Sequence, residues 1–124
     1  MISELQGQNY INLETYEKNG QPIRTPVAFV QDNGVIYVRT DKNSGKVKRL
    51  RNNPHVRIVP CDIRACPKGE WVECTIRIAS EHESKRAKQL LNEKYGSGFR
   101  GMFLNIMYKF RKIDFVFFSI RCFD

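Results

Sequence analysis

Over residues 9–16, apolar and polar positions alternate. Ile11, Leu13 and Thr15 fall on one side, with Tyr10, Asn12, Glu14 and Tyr16 on the other. A period of two predicts a half-buried strand. Asn19-Gly20 follows, a dipeptide that tolerates positive φ at both positions and so predicts a hairpin turn. The next run, residues 23–31, puts Ile23, Thr25, Val27 and Phe29 on one face. Pro26 lies within it and cannot donate to a ladder, which predicts an edge or bulged position. Asp32-Asn33-Gly34 turns the chain into a third strand over residues 35–40. Three consecutive strands with tight turns predict an antiparallel meander.

The period then changes. Residues 44–52 read as a short helix, with Ser44 as N-cap, Val47 and Leu50 facing inward, and Asn53-Pro54 as the stop. Residues 55–61 are a fourth strand weakened at Pro60, and Pro67 and Gly69 mark a loop over 63–69. Residues 71–79 alternate again, with Trp71, Glu73, Thr75 and Arg77 opposing Val72, Cys74, Ile76 and Ile78. Ser80 and Glu83 fit a capping box that opens a helix with an Ala87, Leu90 and Leu91 stripe, and Gly96 stands as its C′ glycine. Met102, Phe103, Ile106, Met107 and Phe110 keep helical spacing, which predicts another short helix over 99–110. Residues 114–123 close the chain as a sixth strand. The expectation is a mostly β class with two or three helices: one small antiparallel barrel spanning residues 1–124, with no internal repeat.

Composition agrees with a globular domain. Hydrophobic residues are 41% and charged residues 27% of 124. The longest strongly apolar run, residues 115–120, is far short of a membrane span. The first residues carry no basic segment followed by an apolar one, so no secretory signal is read and a cytoplasmic location is expected. Cys61, Cys66, Cys74 and Cys122 contain no Cys-x-x-Cys pair. They are expected as free thiols, neither zinc ligands nor disulfides.

The net charge is +8, and it is focused. Arg39, Lys42, Lys46, Lys48, Arg49, Arg51 and Arg57 crowd one segment whose only acid is Asp41, with Arg64 just beyond. Within that segment a strand runs into Ser44-Gly45-Lys46 and then the helix. A hydroxyl, a glycine and a lysine reach a helix N-terminus, where free backbone N–H groups and the dipole favour an anion. Lys46 and Arg49 lie three apart and share a face, one a point charge and the other a planar fork, together suited to a phosphate. A solvated basic face is the plain alternative, and a nucleic-acid grip another. His55 and His82 are the available acid–base groups, but surface or capping roles are commoner, and no nucleophilic triad can be assembled. Trp71 and the phenylalanines of the last strand are expected in the core or at an interface.

The order of Arg24-Thr25-Pro26-Val27, then Tyr37-Val38-Arg39-Thr40, then Ser44-Gly45-Lys46 with Arg49, then Asn53-Pro54 resembles the pyridoxamine 5'-phosphate oxidase-like flavin or deazaflavin oxidoreductases. The resemblance is closer to small F420-dependent members, through residues 13–16 and Lys94-Tyr95-Gly96. It covers nearly the whole chain. It implies a split β-barrel homodimer, with FMN or F420 at the interface and hydride passing between the cofactor and a small organic substrate. Residues 24–27 would line the isoalloxazine ring, Tyr37, Val38, Arg39 and Thr40 would form the neighbouring strand, and Ser44, Gly45, Lys46 and Arg49 would hold the phosphate. The long positive segment leans the choice slightly towards F420, whose tail is polyanionic. The oxidase itself has Ser-Arg-Lys where this chain has Ser44-Gly45-Lys46, and its C-terminal substrate segment has no counterpart, so pyridoxamine phosphate is not the expected substrate. No metal, membrane or nucleic-acid partner is expected. A basic nucleic-acid-binding barrel and a non-catalytic flavin-binding module are the alternatives.

Overall fold

The computed structural model describes residues 5, 7–62, 64, 66–95 and 115–122. Six strands, β1 (Tyr10–Tyr16), β2 (Pro22–Asp32), β3 (Val35–Asp41), β4 (His55–Cys61), β5 (Val72–Ile78) and β6 (Phe115–Cys122), close into an antiparallel barrel in the order β1-β2-β3-β6-β5-β4. Two helices accompany them, α1 (Gly45–Asn52) and α2 (Glu81–Tyr95). The expected helix over residues 99–110 and the C′ glycine at Gly96 lie outside the described residues. The hairpin turns form where the dipeptides place them: Gly20 has φ 86°, and Asn33 and Gly34 have φ 50° and 79°.

Alternation sorts the side chains. Ile11, Leu13, Val27, Phe29, Ile36, Val38, Val56, Ile58, Phe118 and Ile120 fill the barrel, and Val47 and Leu50 of α1 join the same cluster. Each fully buried aliphatic or aromatic side chain there contributes about 2 kcal/mol of transfer free energy. On the outer face, α2 packs Ala87 and Leu91 against Val30, Val35, Tyr37 and Phe117 as a second cluster. Its capping box is formed: the Glu83 N–H donates to Ser80 Oγ at 3.1 Å, and the Ser80 N–H donates to Glu83 Oε1 at 2.9 Å.

One expectation is corrected and another narrowed. Cys74 and Cys122 are joined as a disulfide, because the register sets them directly opposite each other on β5 and β6. Cys61 and Cys66 remain free thiols. Of the two places expected for Trp71, the core and an interface, the barrel core is not the one it takes. It lies on the outer face between the guanidinium groups of Arg24 and Arg57, 4.8 and 5.2 Å from its ring centroid.

Candidate functional site

The strand ladders leave an opening. β2 pairs with β1 through residues 22–28, but with β3 only through Phe29, Val30, Gln31 and Asp32. Arg39, Thr40 and Asp41 on β3 pair with β6, and no β2 partner faces them among the described residues. In an antiparallel ladder, alternate residues turn their N–H and C=O groups away from the paired neighbour. Along residues 22–28 those groups face the split between β2 and β3. Pro26 falls within this stretch, where the expected edge position places it.

α2 holds the point at which β2 changes neighbours. The Tyr95 hydroxyl accepts from the Phe29 N–H at 3.1 Å and lies 2.6 Å from the Asn9 carbonyl oxygen. Lys94 Nζ donates to the Phe29 carbonyl at 2.8 Å and lies 3.6 Å from the centroid of that residue's ring. Burial lowers the Lys94 pKa to about 8. Lys94 and Tyr95 belong to the resemblance, but their grip on the Phe29 backbone is a long-range contact with no local signal in the sequence.

At the far end of the split sits α1. Ser44 is its N-cap, with its Oγ accepting from the Val47 N–H at 3.5 Å, and no acidic residue occupies the first turn. Lys46 and Arg49 are both half-buried, and no carboxylate pairs with either among the described residues. Burial, and then the Arg49 charge beside it, push the Lys46 pKa down. Arg49 Nε donates to Thr15 Oγ1 at 2.8 Å, which ties α1 to β1. Thr15 in turn pairs with Ile23, the residue before Arg24. A Cβ on residue 45 would stand 3.2 Å from Arg49 Nη1, so the guanidinium lies back over the first turn of the helix. Thr40, on the β3 side of the split, is 4% exposed, and its Oγ1 has no hydrogen-bond partner among the described residues.

The remaining sequence candidates divide. Thr25 is half-buried, Pro26 is exposed and Val27 is packed in the core. The Tyr37 ring is buried beneath α2, and its hydroxyl donates to Glu83 at 3.1 Å. Val38 is inside the barrel, and Arg39 lies over the Phe115 ring at 4.7 Å. These residues can serve a ligand at the split through their backbone more readily than through their side chains.

Arg24 is engaged elsewhere. On the outer face, Glu14 is fully buried and accepts from Arg24 Nε at 2.7 Å, Arg57 Nε at 2.6 Å and the Tyr16 hydroxyl at 2.6 Å. Burial pushes the Glu14 carboxyl up, but hydrogen bonds from Arg57, Tyr16 and Arg24 outweigh it and hold the pKa at about 2. The cluster follows from register, since Glu14 on β1 is paired with Arg24 on one side and Arg57 on the other. His55 stacks on Tyr16 and pairs with Glu73, and His82 is exposed at the start of α2. Among the described residues, no cluster of His, Cys, Asp and Glu has the geometry to hold a metal ion.

A split antiparallel barrel with a cationic helix start at the end of the split defines the class of protein. The chain belongs to the pyridoxamine 5'-phosphate oxidase family, whose sequence model matches residues 2–121. Among curated proteins, none matches the sequence significantly. Three solved structures show how the fold is shared. The heme storage protein HutZ from Vibrio cholerae superposes with a TM-score of 0.74 at 17% identity, covering 99% of this chain and 88% of its own. An F420 reductase gives 0.63 at 19% identity, with 98% and 92% covered. General Stress Protein 26 from Bacillus anthracis gives 0.64 at 22% identity, with 98% and 84% covered. At these identities the likeness is one of fold.

Proposed function

We propose that this chain is an oxidoreductase that binds the ribityl phosphate of FMN or F420 at the start of α1, with the ring along the split between β2 and β3. The observation that carries the reading is the pair Lys46 and Arg49. Two half-buried cations repel each other at a helix N-terminus with no acid beside them. A phosphate there would relieve the repulsion and accept from the free N–H groups of the first turn. Ser44 and Gly45 let the backbone approach, because the serine is committed to capping and the glycine adds no side chain. The backbone edge of Arg24, Thr25, Pro26 and Val27 would offer the ring its alternating donors and acceptors, with Tyr37, Val38, Arg39 and Thr40 as the opposite wall and the orphaned Thr40 hydroxyl available to donate. When bound, the cofactor supplies hydride chemistry. The protein's part is to bind, orient and exclude water, and a small organic substrate would complete the site. A homodimer with the cofactor at the interface fits the family. F420 is slightly favoured over FMN by the surplus charge on Lys42, Lys48 and Arg51.

A non-catalytic carrier of the same cofactor is the second reading. It is favoured by the strongly shifted carboxylates, Glu14 and Glu83, both being held in ion pairs with arginines. The visible spectrum of the purified protein separates the cofactors: a double flavin band marks FMN, and a single deazaflavin band marks F420. The variant Lys46→Ala with Arg49→Ala should weaken either by at least on the order of a hundredfold, since two charge-assisted hydrogen-bonding groups are lost. Unchanged affinity would overturn the phosphate assignment, and a Soret band would turn the reading to haem. Turnover with a chemical or nicotinamide reductant distinguishes the enzyme from the carrier.

A further inference from the structure

Thr15 carries a role that the pattern of its strand does not announce. It stands on the core-facing side of β1, in line with Ile11 and Leu13, and is 1% exposed. A hydroxyl in that position needs a hydrogen bond, and the Ile23 carbonyl at 3.5 Å is at the limit of reach. The short contact is to α1: Arg49 Nε donates to Thr15 Oγ1 at 2.8 Å. The guanidinium is planar, so a bond at Nε restricts where its two terminal nitrogens can lie. Here Nη1 lies back towards Gly45, within 3.2 Å of where a Cβ would stand. The long arginine side chain is thereby held at Nε, with its terminal nitrogens lying in the space that Gly45 leaves open.

We propose that Thr15 is a positioning residue of the phosphate site: its hydroxyl, together with the space left by Gly45, holds the Arg49 guanidinium over the first turn of α1. This inference rests on the phosphate reading above. An arginine held there loses less side-chain freedom when the anion arrives, and part of the ordering cost of binding is met by the fold. It also keeps Arg49 close to Lys46 despite their repulsion, because the Thr15 bond holds it there. The barrel wall therefore contributes to a site otherwise built from the β3–α1 connection.

Binding is measured with two ligand pairs, FMN against riboflavin and F420 against its phosphate-free chromophore, so that the contribution of the phosphate, and for F420 of the tail it carries, is read as a ratio. Wild type should prefer the phosphorylated member of the pair that it binds. Thr15→Val should reduce that preference about tenfold, the weight of one hydrogen bond to a charged group, and leave the phosphate-free affinity unchanged. Thr15→Ser should restore it. In an Arg49→Ala background, Thr15→Val should have no further effect. Gly45→Ala is an independent variant that leaves β1 untouched. It crowds Arg49 Nη1 and should lower the same ratio, again only while Arg49 is present. A Thr15→Val protein with wild-type preference, an equal loss for both members of the pair, or a loss that persists without Arg49 would overturn the positioning role. A wild type with no preference for phosphate would instead overturn the phosphate site and this role with it.

Discussion

At the scale of single residues, one strongly held charge is Glu14, which lies outside the proposed site. Its carboxylate is buried against the outer wall of the barrel, and two guanidinium groups and a phenol hold it ionised. The sign of its pH effect follows from the direction of the shift. The folded pKa is lowered from the ordinary 4.5 to about 2, so the stabilisation is fully present above pH 4.5 and is lost as the pH falls towards 2. The group contributes roughly 3 kcal/mol across that window, by linkage. Glu14→Gln removes the charge and leaves Arg24 and Arg57 facing each other across β1. Both arginines reach solvent, which moderates the penalty for a broken buried pair to about 2 kcal/mol. Urea unfolding at neutral pH and again near pH 3 should show the variant less stable at neutral pH and nearly matched to wild type in acid. A constant difference at both values would mean that the carboxylate is not held ionised by its neighbours.

At the scale of elements, the barrel is split because β2 changes neighbours at Phe29, and α2 stabilises the change. Tyr95 serves the Phe29 amide, so Tyr95→Phe leaves a buried backbone donor without its acceptor and frees the Asn9 carbonyl. The cost should be about 1–3 kcal/mol, and exchange of the Phe29 amide proton should accelerate by more than that of neighbouring barrel amides. If Phe29 exchanges no faster than they do, the clamp has no local effect. The elements themselves were largely legible in the sequence. Alternation over β1, β5 and β6 placed strands within a residue or two of the observed ends, and Ser44 and the Ser80–Glu83 box located the helix starts. Pro26 gave away the unpaired edge. What the sequence did not carry was register. The Glu14 cluster, the Tyr95 clamp and the Thr15–Arg49 bond each join residues far apart in the chain, and one-dimensional periodicity holds no information about which positions become opposite. The same gap explains Trp71, which alternation placed on a strand face without saying which face was the barrel's interior.

At the scale of the whole molecule, closure depends on the last strand. β6 is inserted between β3 and β5, so the C-terminal end of the described chain completes a wall begun in its first half. Such long-range pairing carries a large loop-closure cost. The Cys74–Cys122 bond lies on this closing seam and joins positions 48 residues apart. In the chain-entropy account, a loop of that length stabilises by about 4 kcal/mol when cross-linked, by restricting the unfolded ensemble. Cys74 is fully buried, and replacing both cysteines by serine would confound the lost cross-link with a buried hydroxyl. Reduction of the native protein is the cleaner comparison. The oxidised protein, denatured without reductant, should titrate two thiols, Cys61 and Cys66, and the reduced protein all four. Unfolding of the reduced form should occur at lower denaturant, with a steeper dependence because its unfolded chain exposes more surface. If reduction leaves both midpoint and slope unchanged while the thiol count rises, the seam is held by its ladder and its packing. The barrel would then close without help from the sulfur bond.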